Sequence, residues 1–399
     1  MAELEYIPQG YKKSPLGIIP LEWDVVHLGS LVSITSGESP SSYCLKNFGK
    51  YPYVKVEDMN NCEKYQKNSR EYSDDERNIV SINSVIFPKR GAAISNNKVR
   101  IAACNLQMDS NMMAITPNAN TICEFLYYMI KFKQLYRIAD TSTIPQINNK
   151  HIIPYKICLP PIEEQKKIAE LLNEWDKAIE LQTKLIEKLE SRKRALMQRL
   201  LTGRVRLNGF SDKWQTQYLR DLFVERNETR NEHLPLLSIT AEKGVILQSE
   251  SDKRDNSNED KSKYKRICPN DIGYNTMRMW QGRSALSGME GIVSPAYTIV
   301  IPNGNVYPFF IISLIQQPRV VYDFWAHSQG LVDDTLNCKF SNFSQVKVSI
   351  PSLAEQTAIA EVLMSADKEI EIAKTKLSSL RNQKRGLMQQ LLTGKRRVI

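Results

Sequence analysis

Leu159-Pro160-Pro161-Ile162-Glu163-Glu164-Gln165 recurs 191 residues later as Ile350-Pro351-Ser352-Leu353-Ala354-Glu355-Gln356. Leu196-Met197-Gln198-Arg199-Leu200-Leu201-Thr202-Gly203 recurs at the same interval as Leu387-Met388-Gln389-Gln390-Leu391-Leu392-Thr393-Gly394. The register reaches back to Trp23, Leu28 and Leu31, which return as Trp214, Leu219 and Leu222. A period of this size is far too long for a solenoid, so the chain reads as two tandem copies of one domain pair. A duplicated protein suits a target with two halves.

The stretch that follows each Pro-containing landmark is helical by its apolar spacing. Ile168, Leu172, Trp175, Ile179, Gln182, Ile186, Leu189, Lys193, Leu196 and Leu200 step by four and three, as do Ile359, Leu363, Ala366, Ile370, Ala373, Leu377, Leu380, Lys384, Leu387 and Leu391. That alternation is the 3.5-residue period of a coiled-coil seam. Pro160 and Pro161 suit the entry to the first helix, Ser352 is a candidate N-cap for the second, and Gly203 and Gly394 stop them. Helices of about forty residues would be roughly 60 Å long. The two stripes are expected to bury each other, and if they lie antiparallel the pair makes a spacer between the globular parts; the alternative is that each stripe packs on its own globular domain. Lys193 and Lys384 inside the stripes predict a seam that opens towards the C-terminal ends, where basic residues also complement the helix dipole.

The expected architecture is therefore two similar domains at 1–155 and 205–345 that mix short β-rich runs with turns, and two long helices within 156–204 and 346–399 related by a pseudo-twofold repeat. Inside the globular parts the interval drifts. Val85-Ile86-Phe87-Pro88 and Ile272-Gly273-Tyr274-Asn275 match at 187, and Asp109-Ser110 matches Val293-Ser294 at 184. Loops have changed length there while the helical scaffold has kept its own, which implies similar docking on different sequences.

Bulk properties narrow the class. The 399 residues carry 42% hydrophobic and 25% charged side chains, a globular balance, and a net charge of +10 makes polyanions natural partners. Seven cysteines lie scattered, with no CxxC or Cys/His cluster, which argues for reduced thiols in a cytoplasm and against a metal site. The N-terminus does not read as a signal peptide, and no apolar run reaches membrane-spanning length, so a soluble intracellular chain is expected.

Two polar loops are candidates for binding. Pro88 to Arg100 holds Lys89, Arg90, Asn96, Asn97 and Lys98 around Gly91. Arg and Lys pair with guanine O6/N7 or with phosphates, Asn suits adenine N6/N7, and Gly91 would let backbone approach a duplex. The other reading is a solvated hairpin turn. The matching stretch of the second copy holds Tyr274, Asn275, Arg278, Gln281 and Arg283 around Trp280, which is either core or a stacking surface. A polar loop precedes each long helix, Asp140 to Gln146 (with Thr143 and Gln146) and Ser328 to Thr335. These could touch a DNA backbone or merely turn the chain.

Catalytic signatures are absent from the sequence. Thr393-Gly394-Lys395 lacks the rest of a nucleotide-triphosphate loop, no Asn/Asp-Pro-Pro-Tyr/Phe element of an amino-methyltransferase occurs, and the four histidines are isolated. Glu163 and Glu164 open a helix, where the dipole favours carboxylates, so no acid-base chemistry is read into them.

Gly10 to Trp23, the Leu-Pro-Pro-Ile-Glu-Glu-Gln element, the two Leu-Leu-Thr-Gly ends and Gly209-Phe210-Ser211-Asp212-Lys213-Trp214 together resemble the specificity subunit of type I restriction-modification systems. The resemblance covers the whole chain. It implies two target recognition domains of α+β type separated by two long helices in an antiparallel coiled coil, each domain reading one half of a split asymmetric site on double-stranded DNA, with the helices fixing the gap. It implies partners: two methyltransferase subunits bringing S-adenosylmethionine, and two motor-nuclease subunits using ATP and Mg2+. No cofactor is expected in this chain itself. A methyltransferase-only system, a coiled-coil assembly scaffold and a self-sufficient methyltransferase fusion are the rivals.

Overall fold

The computed structural model describes residues 6–398 except 143, 241–242, 252–254, 256 and 331–334. Two compact units are present. One joins Met1–Thr183 to Lys376–Ile399, and the other is Lys184–Thr375. Each therefore contains a globular domain, part of one long helix and the opposite part of the other.

In the first unit a five-stranded sheet runs in the order Val32–Ser36, Met112–Pro117, Val85–Pro88, Arg100–Ala102, Tyr65–Gln66. Its inner strands are buried on both faces, so successive residues serve different cores. Val85, Phe87, Met113 and Ile115 join the helices Cys123–Lys133 and Ile162–Leu200, whereas Ile86, Met112 and Ala114 join Val54, Met59 and Leu106. Lys156–Leu159, just ahead of the long helix, is a strand paired antiparallel with Asp24–His27.

The second unit repeats this plan with a four-stranded sheet ordered Phe223–Arg226, Tyr297–Pro302, Ile272–Asn275, Ser284–Leu286. Lys347–Ile350 pairs with Gln215–Tyr218 as its counterpart does in the first. Gly273 faces the smaller core formed with Leu237, Ile267 and Ile299, packed so closely that a Cβ there would meet Ile239 Cδ1 at 2.3 Å.

The long helices span Ile162–Leu200 and Leu353–Leu392, and in each unit they run antiparallel. In the first unit Asp176 pairs with Lys384 and Glu164 with Arg397; in the second Lys193 pairs with Asp367 and Glu190 with Lys374. No residue of either predicted stripe is exposed. The expected opening of the seam at its lysines is corrected by these pairs. Lys384 is only 8% exposed, bonded to Asp176, with its ammonium 5.0 Å from the Tyr128 ring centroid. A cation can stay in the seam because the facing helix supplies a carboxylate.

The repeated landmarks lock each helix to its domain. Gln165 donates to Asn120 O (3.1 Å) and Pro160 O (3.0 Å) and accepts Ile122 N–H (2.9 Å). Gln356 does the same with Asn305, Pro351 and Tyr307. Glu164 accepts Trp23 Nε1 at 2.9 Å and the Arg397 guanidinium, while Glu355 takes Arg206 in a two-pronged pair at 2.6 and 2.7 Å. Here Trp214 Nε1 has no hydrogen-bond partner among the described residues. The terminal Leu-Leu pairs bury themselves in the domain cores, and Gly394, at φ +72°, packs so close that a Cβ would meet Pro20 Cδ at 2.4 Å.

Candidate nucleic-acid interface

Each basic loop leaves the end of an inner strand, and a strap that leads to the long helix is stitched against it. In the first domain Lys89 N–H donates to Asn111 O (2.7 Å), Ile147 N–H donates to Lys89 O (2.9 Å) and Gly91 N–H donates to Pro145 O (2.9 Å). Asp140 and Gln146 close the neck of the strap with reciprocal bonds of 2.9 and 3.0 Å. Gln146 is thereby bridged to Arg90, so the two sequence candidates lie side by side. In the second domain Cys338 N–H donates to Thr276 O (2.9 Å), and Gln329 and Asn337 close the neck at 3.0 and 2.8 Å. Thr143 and the strap residues 331–334 lie outside the described residues.

Exposure and pairing sort the candidates. Arg90 and Asn96 are exposed, and Lys89 and Lys98 are half-buried. Among the described residues none of Lys89, Arg90 and Lys98 is in an ion pair, whereas Lys46, Lys50, Lys55, Arg70 and Arg77 of the same domain each hold a carboxylate. Burial, and then the neighbouring Arg90 charge, holds the Lys89 ammonium below its usual range. Gly91, at φ +81°, has nothing among the described residues within 4 Å of the place a Cβ would take.

Asn97 belongs to the fold, a correction to its place among the readers. Its Oδ1 accepts Leu135 N–H at 3.0 Å and its Nδ2 donates to Lys131 O at 2.9 Å, tying the loop to two helix ends. Its φ of +49° is the left-handed conformation that Asn tolerates.

In the second domain Gln281 and Arg283 are exposed, and Arg278 is half-buried at the start of the turn Met279–Gln281. Asn275 uses its Oδ1 to bend the chain just ahead of that turn, accepting Met277 N–H at 3.0 Å. Tyr274 is the clear correction. It is 0% exposed, stacked on Phe343 at 5.0 Å, and burial raises its hydroxyl well above the ordinary value. Strand alternation decides this, since Ile272 and Tyr274 share the face turned to the helices. Trp280 is half-buried, with its indole N–H donated to Met277 O at 3.0 Å.

Sequence reasoning passed over Tyr322 and Trp325. They lie on the helix Pro318–His327, whose Val320 and Phe324 face the core. The i, i+3 spacing of the aromatics, offset from the i, i+4 spacing of the core residues, was the available signal. Among the described residues no His/Cys/Asp/Glu group could hold a metal ion, and no helix is long and apolar enough to cross a membrane.

A duplicated reader-like domain carried on paired helices is the class that fold and loops define. The family profile for type I restriction modification DNA specificity domains matches residues 20–191 and again 211–382, and the chain belongs to that family. The two matches are themselves 191 residues apart. Among curated relatives, the MjaX chain of Methanocaldococcus jannaschii, named as a type I restriction enzyme specificity subunit, is 26% identical over 98% of both chains. The MjaVIII specificity subunit of the same organism is 24% identical over 95% of this chain and 94% of its own. Among solved structures, a chain from a study of type I system assembly and conformational transition superposes with a TM-score of 0.63 at 14% identity, covering 95% and 99%. The S subunit from M. genitalium gives 0.56 at 16% identity, covering 93% and 96%. The chain is thus a type I specificity subunit with two target recognition domains, a non-catalytic role in DNA recognition.

Proposed function

We propose that each domain reads one half of a split DNA sequence through its basic loop and adjoining strap, and that the antiparallel helices set the gap between the halves. The observation that carries this reading is the duplicated stitching. Both domains present a loop with an exposed cation (Arg90; Arg283) that is in no ion pair among the described residues, from the end of the equivalent inner strand, held by the equivalent strap hydrogen bond (Ile147 to Lys89; Cys338 to Thr276). A phosphate beside Lys89 and Arg90 would offset the mutual repulsion and the burial that lower the Lys89 pKa. Lys89, Arg90, Asn96, Lys98 and Gln146 then serve one half-site, and Arg278, Gln281 and Arg283 the other.

Catalysis belongs to partners in this reading: methyltransferase subunits with S-adenosylmethionine, and motor-nuclease subunits with ATP and Mg2+. Two methyltransferase copies are supported by two equivalent grooves. One, near 570 Å³, is lined by Lys167, Glu170, Leu171, Glu174 and Val398; the other, near 590 Å³, includes Ala358, Glu361, Val362, Ser365 and Leu207, the same positions one repeat away. Free thiols at all seven cysteines suit a reducing cytoplasm.

The test is DNA binding by the complex with its methyltransferase. Changing Lys89, Arg90 and Lys98 together to Ala should weaken binding and flatten its salt dependence, the slope falling by about one for each phosphate no longer neutralised. Unchanged binding and unchanged methylation in a folded triple variant would overturn the assignment of this loop.

A further inference from the structure

We propose that the exposed aromatic side chains on the helices that buttress the two basic loops, Tyr322 with Trp325 and Tyr136, are part of the DNA-reading surface. There they supply apolar contact to deoxyribose and thymine methyl groups. The proposal rests on the reading that the basic loops face DNA.

The second domain carries the argument furthest. Val320 and Phe324 fix the core side of the helix Pro318–His327, which leaves Tyr322 63% and Trp325 44% exposed. Their rings lie against each other, with centroids 5.5 Å apart and planes 29° from parallel. Single exposed apolar residues are ordinary, but two large rings stacked on one open face form a patch that invites a partner. The same helix packs on the turn Met279–Gln281, and Val321 sits where a Cβ on Gly282 would meet it at 2.9 Å. Trp325 follows Val321 by one helical turn, so the aromatic face continues the surface of the loop that carries Gln281 and Arg283.

The first domain repeats the arrangement. Its short helix Leu135–Ile138 packs against Ala92–Ser95 of the basic loop and is fastened to it by the Asn97 side chain at Leu135 N–H. Tyr136 projects from it 42% exposed, with the Arg137 guanidinium 5.9 Å from its ring centroid. In both copies the aromatic helix packs on the basic loop and leads directly into the strap. Position relative to the loop, twice over, favours a duplex over a protein as occupant.

Aromatic contact to sugars and methyl groups releases no counterions, whereas cation contact to phosphate does. That difference is the test. The full chain, assembled with its methyltransferase subunits, is titrated over a range of salt with a duplex bearing the site mapped from methylated genomic DNA. For Tyr322→Ala with Trp325→Ala, affinity should fall roughly tenfold or more at every salt concentration with the slope unchanged. Tyr322→Phe with Trp325→Phe should bind nearly as the parent does. Arg283→Ala should instead lower the slope by about one. Parent-like binding by the Ala pair, beside a weakened Arg283 variant, overturns this proposal and leaves the loop reading standing. No effect from either fails the loop reading itself. An Ala pair that keeps its DNA affinity but no longer assembles with methyltransferase assigns the face to a protein and overturns the proposal. Should the Ala pair not fold, the single changes Tyr322→Ser and Trp325→Gln carry the same comparison.

Discussion

If the helices measure the gap, lengthening both by the same amount should lengthen the gap and nothing else. The structure says where to cut. The boundary between the units falls after Thr183 on one helix and after Thr375 on the other. Asp176 and Lys384 pair on one side of that boundary, and Lys193 and Asp367 pair on the other. Four residues inserted at both places, each carrying one apolar side chain in the stripe, leave both pairs in register. Four residues add about 6 Å and overshoot one full turn by about 40°, which a stutter in the seam can absorb. At about 3.4 Å per base pair the preferred gap should grow by one or two base pairs. An insertion in the central helix alone must displace one of the two ion pairs by about the same 6 Å, so it should destabilise the protein instead. Methylated sites mapped in DNA from cells carrying the double insertion and its methyltransferase give the answer. Active methylation of the same half-sites at the parental gap would refute the ruler.

Three further outcomes are expected. Leu171→Arg or Val362→Arg should each leave a complex with one methyltransferase copy and the pair of changes none, read by native mass spectrometry; two copies retained in the double variant would remove the grooves as docking sites. Asp176→Ala strands Lys384, whose side chain is 10% exposed, and should cost about 3 kcal/mol, while Asp367→Ala leaves Lys193, 26% exposed, and should cost less than about 1 kcal/mol in calorimetric unfolding. Lys64, which donates to Tyr128 OH at 3.0 Å, is pushed down to about 8 by burial against the opposing pull of Asp176 and Glu124, with Lys384 adding to the lowering. Between that pH and the ordinary lysine range the unfolded chain holds more protons, so stability should rise with pH there and the cost should be complete below it. Lys64→Met should flatten that rise, leaving the part due to Lys131 and Lys89, which burial also holds below the ordinary lysine range, and a parent-like slope in the variant would show that Lys64 does not contribute to it.

The helices were legible because their constraint is periodic. One side must be apolar every three or four residues, and the stripes predicted from spacing alone are covered throughout. Lys193 and Lys384 show where this stops. A lysine in a stripe signals an opening only if nothing answers it, and the answering carboxylates, Asp367 and Asp176, come from 174 and 208 residues away. Glu164 is a similar case. Its place in the first turn accounted for a carboxylate, but Trp23 and Arg397 are what hold it.

The loops obey no period, and there residue type alone proved ambiguous. Lys89 and Arg90 lie beside Gln146 only because the strap folds back on their loop, and that long-range pairing is not written in either local stretch. Asn97 has the right chemistry and is committed elsewhere, since its left-handed backbone aims the amide at two helix ends. Tyr274 was within reach of the sequence after all. It stands two residues from Ile272 in a strand whose intervening residue is Gly273, so one face must fill a core and the other must admit a close neighbour. Alternation puts Tyr274 inside, and exposed polar side chains begin only where the strand ends, beyond Asn275. The same rule places Lys89 and Arg90 just past the last residue of Val85–Pro88, so in both domains the sheet itself fixes where the proposed recognition loop can start.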